Sequence, residues 1–438
     1  MILRAASEFV KCTRDFYLPR ADLEALQLKR LKRTVRLAFD NVPHFHSVLR
    51  ALGKVPSDFA AVRDLQTIPV ISKDTSIKKR PQMVSRKADA RFARASTGTT
   101  GNVVSVAYDS FFRDITIALQ ARHLTHFGLR PWKRLVSVRS PAKYWRKVPM
   151  GARRGSPITW ADELGITVAL GRATGRFLPL QAAPDNPSGD LERLLELRPD
   201  FIMCQPSHLV RMSGYIPQGK RGEVAEGMNL LNETFTESAA KRIEDAYGGG
   251  AFNSLGSNEL GVSGADCRFK RGMHLNEDWI LFEVLKDGEP VSEGEQGELV
   301  ATVFSNDTMP LIRYATGDTV ELADADGCEC GSRTMRLRRI LGRKDDWLLG
   351  ADGALIPPME IAEEVESRFD ITDYQIVQRG PRDFVVKTVD PDNDEKRLSE
   401  QLGGYLSQRI GATVDISFSP RPREELWLKN RPVVCEIR

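Results

Sequence analysis

From about Arg94 to Gly250, short apolar runs alternate with helical patterns, and this limits what the 438-residue chain can fold into more than any other feature. Leu135-Val136-Ser137-Val138 reads as a short buried strand from its β-branched content, and Phe201-Ile202-Met203-Cys204 as a second. Val103 to Tyr108 is a further β-rich run, and Ile166 to Leu170 fits another strand. Helical patterns lie between them: Phe111 to Phe127, with Ile115, Leu119 and Arg122 along one line, Asp190 to Leu197, and Ser238 to Tyr247, which Gly248-Gly249-Gly250 stops. Residues 141–162, rich in Pro, Gly, Arg and Trp, read as an irregular loop. Such alternation predicts an α/β protein with β-sheets flanked by helices.

The flanks differ from this middle. The first 90 residues read as a helical lead-in, in which Leu28, Leu31, Val35 and Phe39 form one stripe. Lys29, Arg30, Lys32, Arg33 and Arg36 fall on its other faces as a solvated basic surface, which also offers a dimer contact. Asn41-Val42-Pro43 ends that helix, and Pro69 to Lys73 looks like a short strand followed by a cap. After Glu277 the pattern is strand-and-turn: Trp279 to Val284, Gly297 to Val303, Leu311 to Tyr314. After Gly342 comes a compact unit with helix 359–369, strands 374–379 and 384–389, helix 395–409 and strand 413–418. The expected organisation is a large domain 1–342, a hinge at 343–345, and a small mobile α+β domain 346–438.

Composition removes several classes of function. The formal charge of +4 over the whole chain is too small for a dedicated nucleic-acid binder. No apolar run reaches the roughly 18 residues that a membrane helix needs. MILRAASEFVKC lacks the apolar core of a secretory signal. Six cysteines in so long a chain exclude a disulfide scaffold and point to a reducing compartment, so a cytoplasmic enzyme is expected.

Four segments carry chemistry. Ser96-Thr97-Gly98-Thr99-Thr100-Gly101 alternates small hydroxylated residues with glycine, which lets backbone N–H groups and hydroxyls close around phosphate oxygens. It is not a Walker loop, because no G-K-[ST] follows. In Leu255-Gly256-Ser257-Asn258-Glu259 the terminal carboxylate suits Mg²⁺. In Arg313-Tyr314-Ala315-Thr316-Gly317-Asp318 the aspartate suits two ribose hydroxyls. Gly342-Arg343-Lys344-Asp345-Asp346 adds an arginine able to make a charge-assisted contact.

In this order and spacing the four segments resemble the core motifs of the adenylate-forming superfamily of acyl-CoA synthetases, in its phenylacetate–CoA ligase branch. The resemblance extends to Val42-Pro43-His44-Phe45, Ile68 to Lys73, Arg198-Pro199-Asp200, Gln205 to His208, and Gly353, Ile356, Pro357 and Glu360. It implies that a carboxylate attacks the α-phosphate of ATP, pyrophosphate leaves, and a thiol, most plausibly coenzyme A, displaces AMP from the acyl-adenylate. An aryl or arylalkyl acid is the implied substrate class. Carried over by position, Ser96 to Gly101 grip phosphate, with Thr99 catalytic, and Glu259 holds Mg²⁺. Asp318 and Arg343 bind ribose. Leu231 to Thr234, including Glu233, and Phe252 to Leu255, with Asn253 and Ser254, line the adenine slot together with Gly256 and Asn258. Asp345 is the hinge, and Lys429 is the catalytic lysine that meets the carboxylate and α-phosphate and then moves away.

The sequence also departs from the family. Asn102-Val103 stands where the loop usually continues Lys-Pro, removing a cation near the pyrophosphate. Leu255 replaces an aromatic, Ala315 an arginine, and Leu231-Asn232-Glu233-Thr234 a Gly-Ala-Glu-Pro stretch. Two rivals follow: adenylation with delivery to an acyl carrier protein or an amine, and a nucleotide-binding homologue without catalysis.

Cys267, His274, Cys328 and Cys330 offer three sulfurs and an imidazole, a soft set suited to a closed Zn²⁺ site, or else reduced thiols in a surface turn. The resemblance supports zinc, since members of this branch carry it there. Cys12, Cys204 and Cys435, and the pair His123 and His126, read as packing residues, and His208 as a core or rim histidine near the acyl pocket.

Overall fold

The computed structural model describes residues 2–88, 92–95, 104–139, 176–183, 186–324, 327–422, 425–426 and 429–437. The lead-in is helical: α1 (Ile2–Asp15), α2 (Arg20–Asn41), α3 (Pro43–Ala51) and the short α4 (Lys73–Lys78) and α5 (Arg80–Met83). Helix α2 stops at Asn41 because Val42 precedes Pro43 and takes the extended conformation (φ −110°, ψ 110°) that proline imposes on its predecessor. Its buried stripe is Leu23, Gln27, Leu31, Thr34, Val35 and Ala38, while Leu28 and Phe39 are half-buried. Arg30 departs from the solvated face expected of it. Its guanidinium lies 3.7 Å over the Trp279 ring, where a cation and a long aliphatic stem cover an aromatic face.

Strands β1 (Phe92–Ala95) and β2 (Ser105–Tyr108) pair antiparallel. Helix α6 (Ser110–His126) starts where the Asp109 carboxylate accepts from the Phe111 and Phe112 N–H groups. The middle of the chain then runs β3 (Leu135–Arg139), β4 (Phe177–Gln181), α7 (Pro187–Glu196), β5 (Phe201–Cys204), α8 (Pro206–Ser213), β6 (Gly227–Leu231), α9 (Glu237–Tyr247) and β7 (Gly250–Ser257). Gly248 closes α9 at φ +99°, and a Cβ there would meet the Gly222 carbonyl oxygen at 2.0 Å, so only glycine fits. Seven strands follow: β8 (Gly261–Ala265), β9 (Met273–Leu275), β10 (Ile280–Lys286), β11 (Glu289–Pro290), β12 (Gln296–Val303), β13 (Tyr314–Leu322) and β14 (Arg336–Arg343).

Among the described residues these form one twelve-stranded sheet in the order β11-β10-β12-β13-β14-β9-β8-β7-β6-β5-β3-β4. Strands β3 to β7 run parallel, and the rest are antiparallel. The parallel block gives way to the antiparallel one between β7 and β8, and β9 joins β14 in register only at Met273–Leu337 and His274–Arg336. Leu31, Val35, Phe45 and Leu65 of the lead-in pack on Ile280, Val303 and Ile312 of the antiparallel block. Val136, Ile202, Leu230, Ile243 and Tyr247 form the core around the parallel block.

The C-terminal residues build β15 (Leu348–Leu349), β16 (Leu355–Ile356), α10 (Pro358–Arg368), β17 (Gln375–Gln378), β18 (Asp383–Thr388), α11 (Pro391–Ile410), β19 (Asp415–Pro420) and β20 (Val433–Cys435). Their four-stranded sheet, β19-β18-β17-β20, has its own core of Ile361, Val365, Ile376, Phe384, Leu402 and Leu406. Strand β20 has no counterpart in the sequence reading; three residues pairing with a distant strand leave no periodic signal. Leu311 to Ile312 are not strand, and β13 instead begins at Tyr314 and continues to Leu322. Residues 141–162, 166–170 and Val103 lie outside the described residues.

Candidate active site

Thr316, Gly317 and Asp318 form a bulge inside β13. Ala315 pairs with Val300 and Thr319 with Glu298, so two extra residues are absorbed between them, with Gly317 at φ +80°. The bulge turns Asp318 toward β14, where it stands opposite Arg343 with Nε 3.7 Å from its Oδ1. Burial pushes the Asp318 carboxyl above the usual carboxylate range, against the pull of Arg343 and Lys429.

Glu259 lies in the turn between β7 and β8, where Ser257 Oγ accepts from the Leu260 N–H at 3.2 Å. Its side chain is buried. A buried carboxylate calls for a cation nearby. Lys429 is one: burial and Arg343 lower its pKa, while Asp318, Glu259 and Glu233 raise it. Lys429, Asp318, Glu259 and Arg343 thus share one electrostatic neighbourhood, although two long-separated sheet segments and the C-terminal unit supply them.

The sequence reading missed another member, Lys73. Ile71 is clamped against β13 by Ile71 N–H to Arg313 O (2.8 Å) and Ala315 N–H to Ile71 O (3.0 Å), and Ser72 then caps α4. This lays Lys73 beside the cleft, where burial and then Arg343 lower its pKa against Glu259 and Asp345. Its pairing partner lies more than 240 residues away, which one lysine in a capped turn does not reveal. It returns a cation to a site whose loop lacks the family's Lys-Pro.

Glu233 is fully engaged. It accepts from Ser207 N–H (3.1 Å), Ser207 Oγ (3.0 Å), Gln205 Nε2 (3.2 Å) and Asn430 N–H (2.9 Å), tying the start of α8 to the residue after Lys429. Asn253, Ser254, Leu255 and Gly256 lie on β7 at the end of the parallel block, with Asn258 in the turn beyond. Asn253 N–H donates to Asp266 and Ser254 Oγ to Asn229 Oδ1 (2.8 Å). Asp345 sits in the single turn Lys344–Asp346, and Arg431 bridges to Asp346. Ser96, Thr97, Gly98, Thr99, Thr100 and Gly101 lie outside the described residues, in the segment joining β1 to β2. His208 is buried on α8, neither ring nitrogen has a partner among the described residues, and its pKa falls to about 3 through burial and Arg211. His123 Nε2 meets Asn276 Oδ1 at 3.0 Å, as a packed histidine does.

Away from this cleft, one donor atom each from Cys267, His274, Cys328 and Cys330 lies within 4.8 Å of the others. Cys267 and Cys328 sulfurs are 3.5 Å apart, and Cys330 Sγ is 3.4 Å from His274 Nε2. His274 Nδ1 meets the Thr334 hydroxyl at 3.2 Å, which orients the ring and leaves Nε2 toward the sulfurs. No helix among the described residues is long and apolar enough to cross a membrane.

No protein-family model matches the chain. It is similar to the phenylacetate-coenzyme A ligase of Thermus thermophilus, at 29% identity over 93% of this chain and 95% of the relative. The phenylacetate-coenzyme A ligase of Escherichia coli is 28% identical over 90% of each. In three dimensions it is similar to 2-hydroxyisobutyryl-CoA ligase, solved in the postadenylation state with 2-HIB-AMP, at a TM-score of 0.77 and 18% identity over 97% of this chain and 91% of that one. That likeness shows the fold, and the two ligases resemble the chain across most of its length. The chain is thus similar over nearly its whole length to phenylacetate–CoA ligases and shares the fold of an adenylate-forming CoA ligase, as its motifs led us to expect.

Proposed function

We propose that the protein is an ATP-dependent acid–thiol ligase that converts a carboxylic acid to an acyl-adenylate and then to a coenzyme A thioester. The acid is aryl or arylalkyl. What supports this reading is that Asp318 lies 3.7 Å from Arg343, while Lys429 lies within electrostatic reach of both and of Glu259. In the first half-reaction the acid's carboxylate attacks the α-phosphorus of ATP, the bond to the bridging oxygen breaks, and pyrophosphate leaves. Lys429 stabilises the charge that grows on the α-phosphate as the carboxylate approaches. Asp318 and Arg343 hold the ribose, so that the phosphate is presented in line. In the second half-reaction a thiolate attacks the acyl carbon and AMP departs.

The buried Glu259 carboxylate fits Mg²⁺, which binds oxygen ligands together with substrate phosphates. When bound, the ion neutralises charge on those phosphate oxygens. Acid-dependent exchange of labelled pyrophosphate into ATP tests the whole reading. Exchange with arylalkyl acids, followed by thioester formation with free coenzyme A, is the expected result; no exchange across a broad acid panel would favour the non-catalytic homologue. Turnover only with a carrier protein would favour that acceptor.

We assign the Cys267, His274, Cys328 and Cys330 cluster to structural Zn²⁺. Three sulfurs and one imidazole converge with the imidazole oriented from behind, and four protein ligands leave no position open for chemistry. His274 also belongs to the β9–β14 pairing, so the ion would brace a junction of only two residue pairs. Elemental analysis is expected to find about one zinc per chain. Strong chelation should lower the thermal midpoint while pyrophosphate exchange at low temperature persists. Cys330→Ser should reproduce both effects.

A further inference from the structure

The N-terminus of α9 is closed by the C-terminal unit. Thr236 Oγ1 accepts from the Ala239 N–H at 2.9 Å, as an ordinary cap does. The two preceding amides go elsewhere. Glu363 on α10 accepts from the Glu237 N–H at 2.6 Å through Oε2, and from the Ser238 N–H (3.1 Å) and hydroxyl (2.6 Å) through Oε1. Glu366, one turn on along the same face, accepts from the Thr236 hydroxyl and from Tyr374 Oη at 3.3 Å. First-turn amides have no partner inside their own helix, and the helix dipole favours a carboxylate there, so each element completes the other.

These bonds cross between two cores. Helix α9 contributes Ile243, Ala246 and Tyr247 to the parallel block, whereas α10 contributes Ile361, Ala362 and Val365 to the C-terminal core. A second chain of contacts runs beside them. Arg211 Nε reaches Asp373 at 3.1 Å, Asp373 meets Arg421 at 3.0 Å, Arg421 donates to Asn430 Oδ1 at 2.8 Å, and Asn430 N–H donates to Glu233. Lys429 is the residue before Asn430, so the placing of its ammonium depends on how the C-terminal unit is seated.

We propose that Glu363 is a positioning residue for the first half-reaction, holding the C-terminal unit in the pose that delivers Lys429 to the cleft. This rests on the function proposed above. It touches neither nucleotide nor acid and acts only through the seating of α10 on α9. Because thiol attack on a finished adenylate does not use Lys429, the two half-reactions should respond differently.

Glu363→Ala is expected to slow pyrophosphate exchange roughly tenfold to hundredfold, the worth of hydrogen bonds to a charged acceptor. Release of AMP from supplied acyl-adenylate by coenzyme A should stay within about twofold. Glu363→Gln, which keeps an acceptor oxygen, should recover much of the exchange. Ser238→Ala combined with Glu363→Ala should lose no more than Glu363→Ala alone, because the two share one contact. Equal loss in both half-reactions, or loss in neither, would overturn the proposal. If the unmodified protein shows no exchange at all, the functional reading fails and X-ray scattering judges the contact. Glu363→Lys should then enlarge the radius of gyration, and an unchanged radius would overturn it.

Discussion

Replacing Lys429 with alanine is expected to cut pyrophosphate exchange by about 10²- to 10³-fold, while thiolysis of a supplied acyl-adenylate changes little. The asymmetry follows from position. On the function proposed above, the ammonium, within electrostatic reach of Arg343, Asp318 and Glu259, serves the α-phosphate as it develops charge, and the acyl carbon attacked in the second step needs no such cation. Equal loss in both steps would refute this role. The pH dependence follows from the same burial. Lys429 acts when protonated, and its pKa is lowered, so exchange should fall on the alkaline side before the usual lysine range is reached. Asp318 acts when ionised, and its pKa is raised, so exchange should fall on the acid side above the usual carboxylate range. The profile is narrowed from both ends. Lys429→Arg, if active, should move the alkaline limb upward, since a guanidinium stays charged.

The largest effect on stability is expected at Arg122. Its side chain on α6 has no exposure to solvent, yet it carries a charge. Nη1 reaches Asp278 Oδ2 at 2.9 Å, Nη2 reaches Asn276 Oδ1 at 2.6 Å and Asp278 Oδ1 at 3.2 Å, and Nη1 also donates to the Cys12 carbonyl. The guanidinium lies 4.7 Å from the Phe16 ring. One side chain thus fastens α1 and α6 to the segment before β10. Arg122→Ala strands the buried Asp278 carboxylate and should destabilise the large unit by about 3–5 kcal/mol in denaturant titration. Asp278→Asn in that background should restore part of the loss by removing the unpaired charge. A loss below about 1 kcal/mol would mean that water reaches the pair.

Legibility in the sequence followed the range of the interaction. Helix α9 was readable because its stop is local: Gly248 has a left-handed backbone and no room for a side chain. Strands β3 and β5 were readable as compact runs bounded by turn residues. Arg122 was placed correctly on the line of Ile115 and Leu119, but its burial depends on Asp278, 156 residues away. Arg30 reads as a solvated cation until Trp279 is brought beneath it. Asp318 was recognised as a functional candidate, while its placement on a bulge depends on unequal spacing against β12, which no single strand encodes. Lys73 required the clamp of Ile71 on β13, and the engagement of Glu233 required Asn430 from the other end of the chain.

The two-pair junction between β9 and β14 has a consequence for failure under stress. Strand β9 is held by only two residue pairs on each side, to β14 and to β8, and local opening concentrates where the fewest backbone bonds must break. Parting there would uncover the flanks of two interior strands at once, and unpaired strand flanks recruit other chains. Heat-induced clumping of this protein should therefore begin at the seam, ahead of the nucleotide cleft and the C-terminal core, with the neighbouring sulfur–imidazole cluster as its guard.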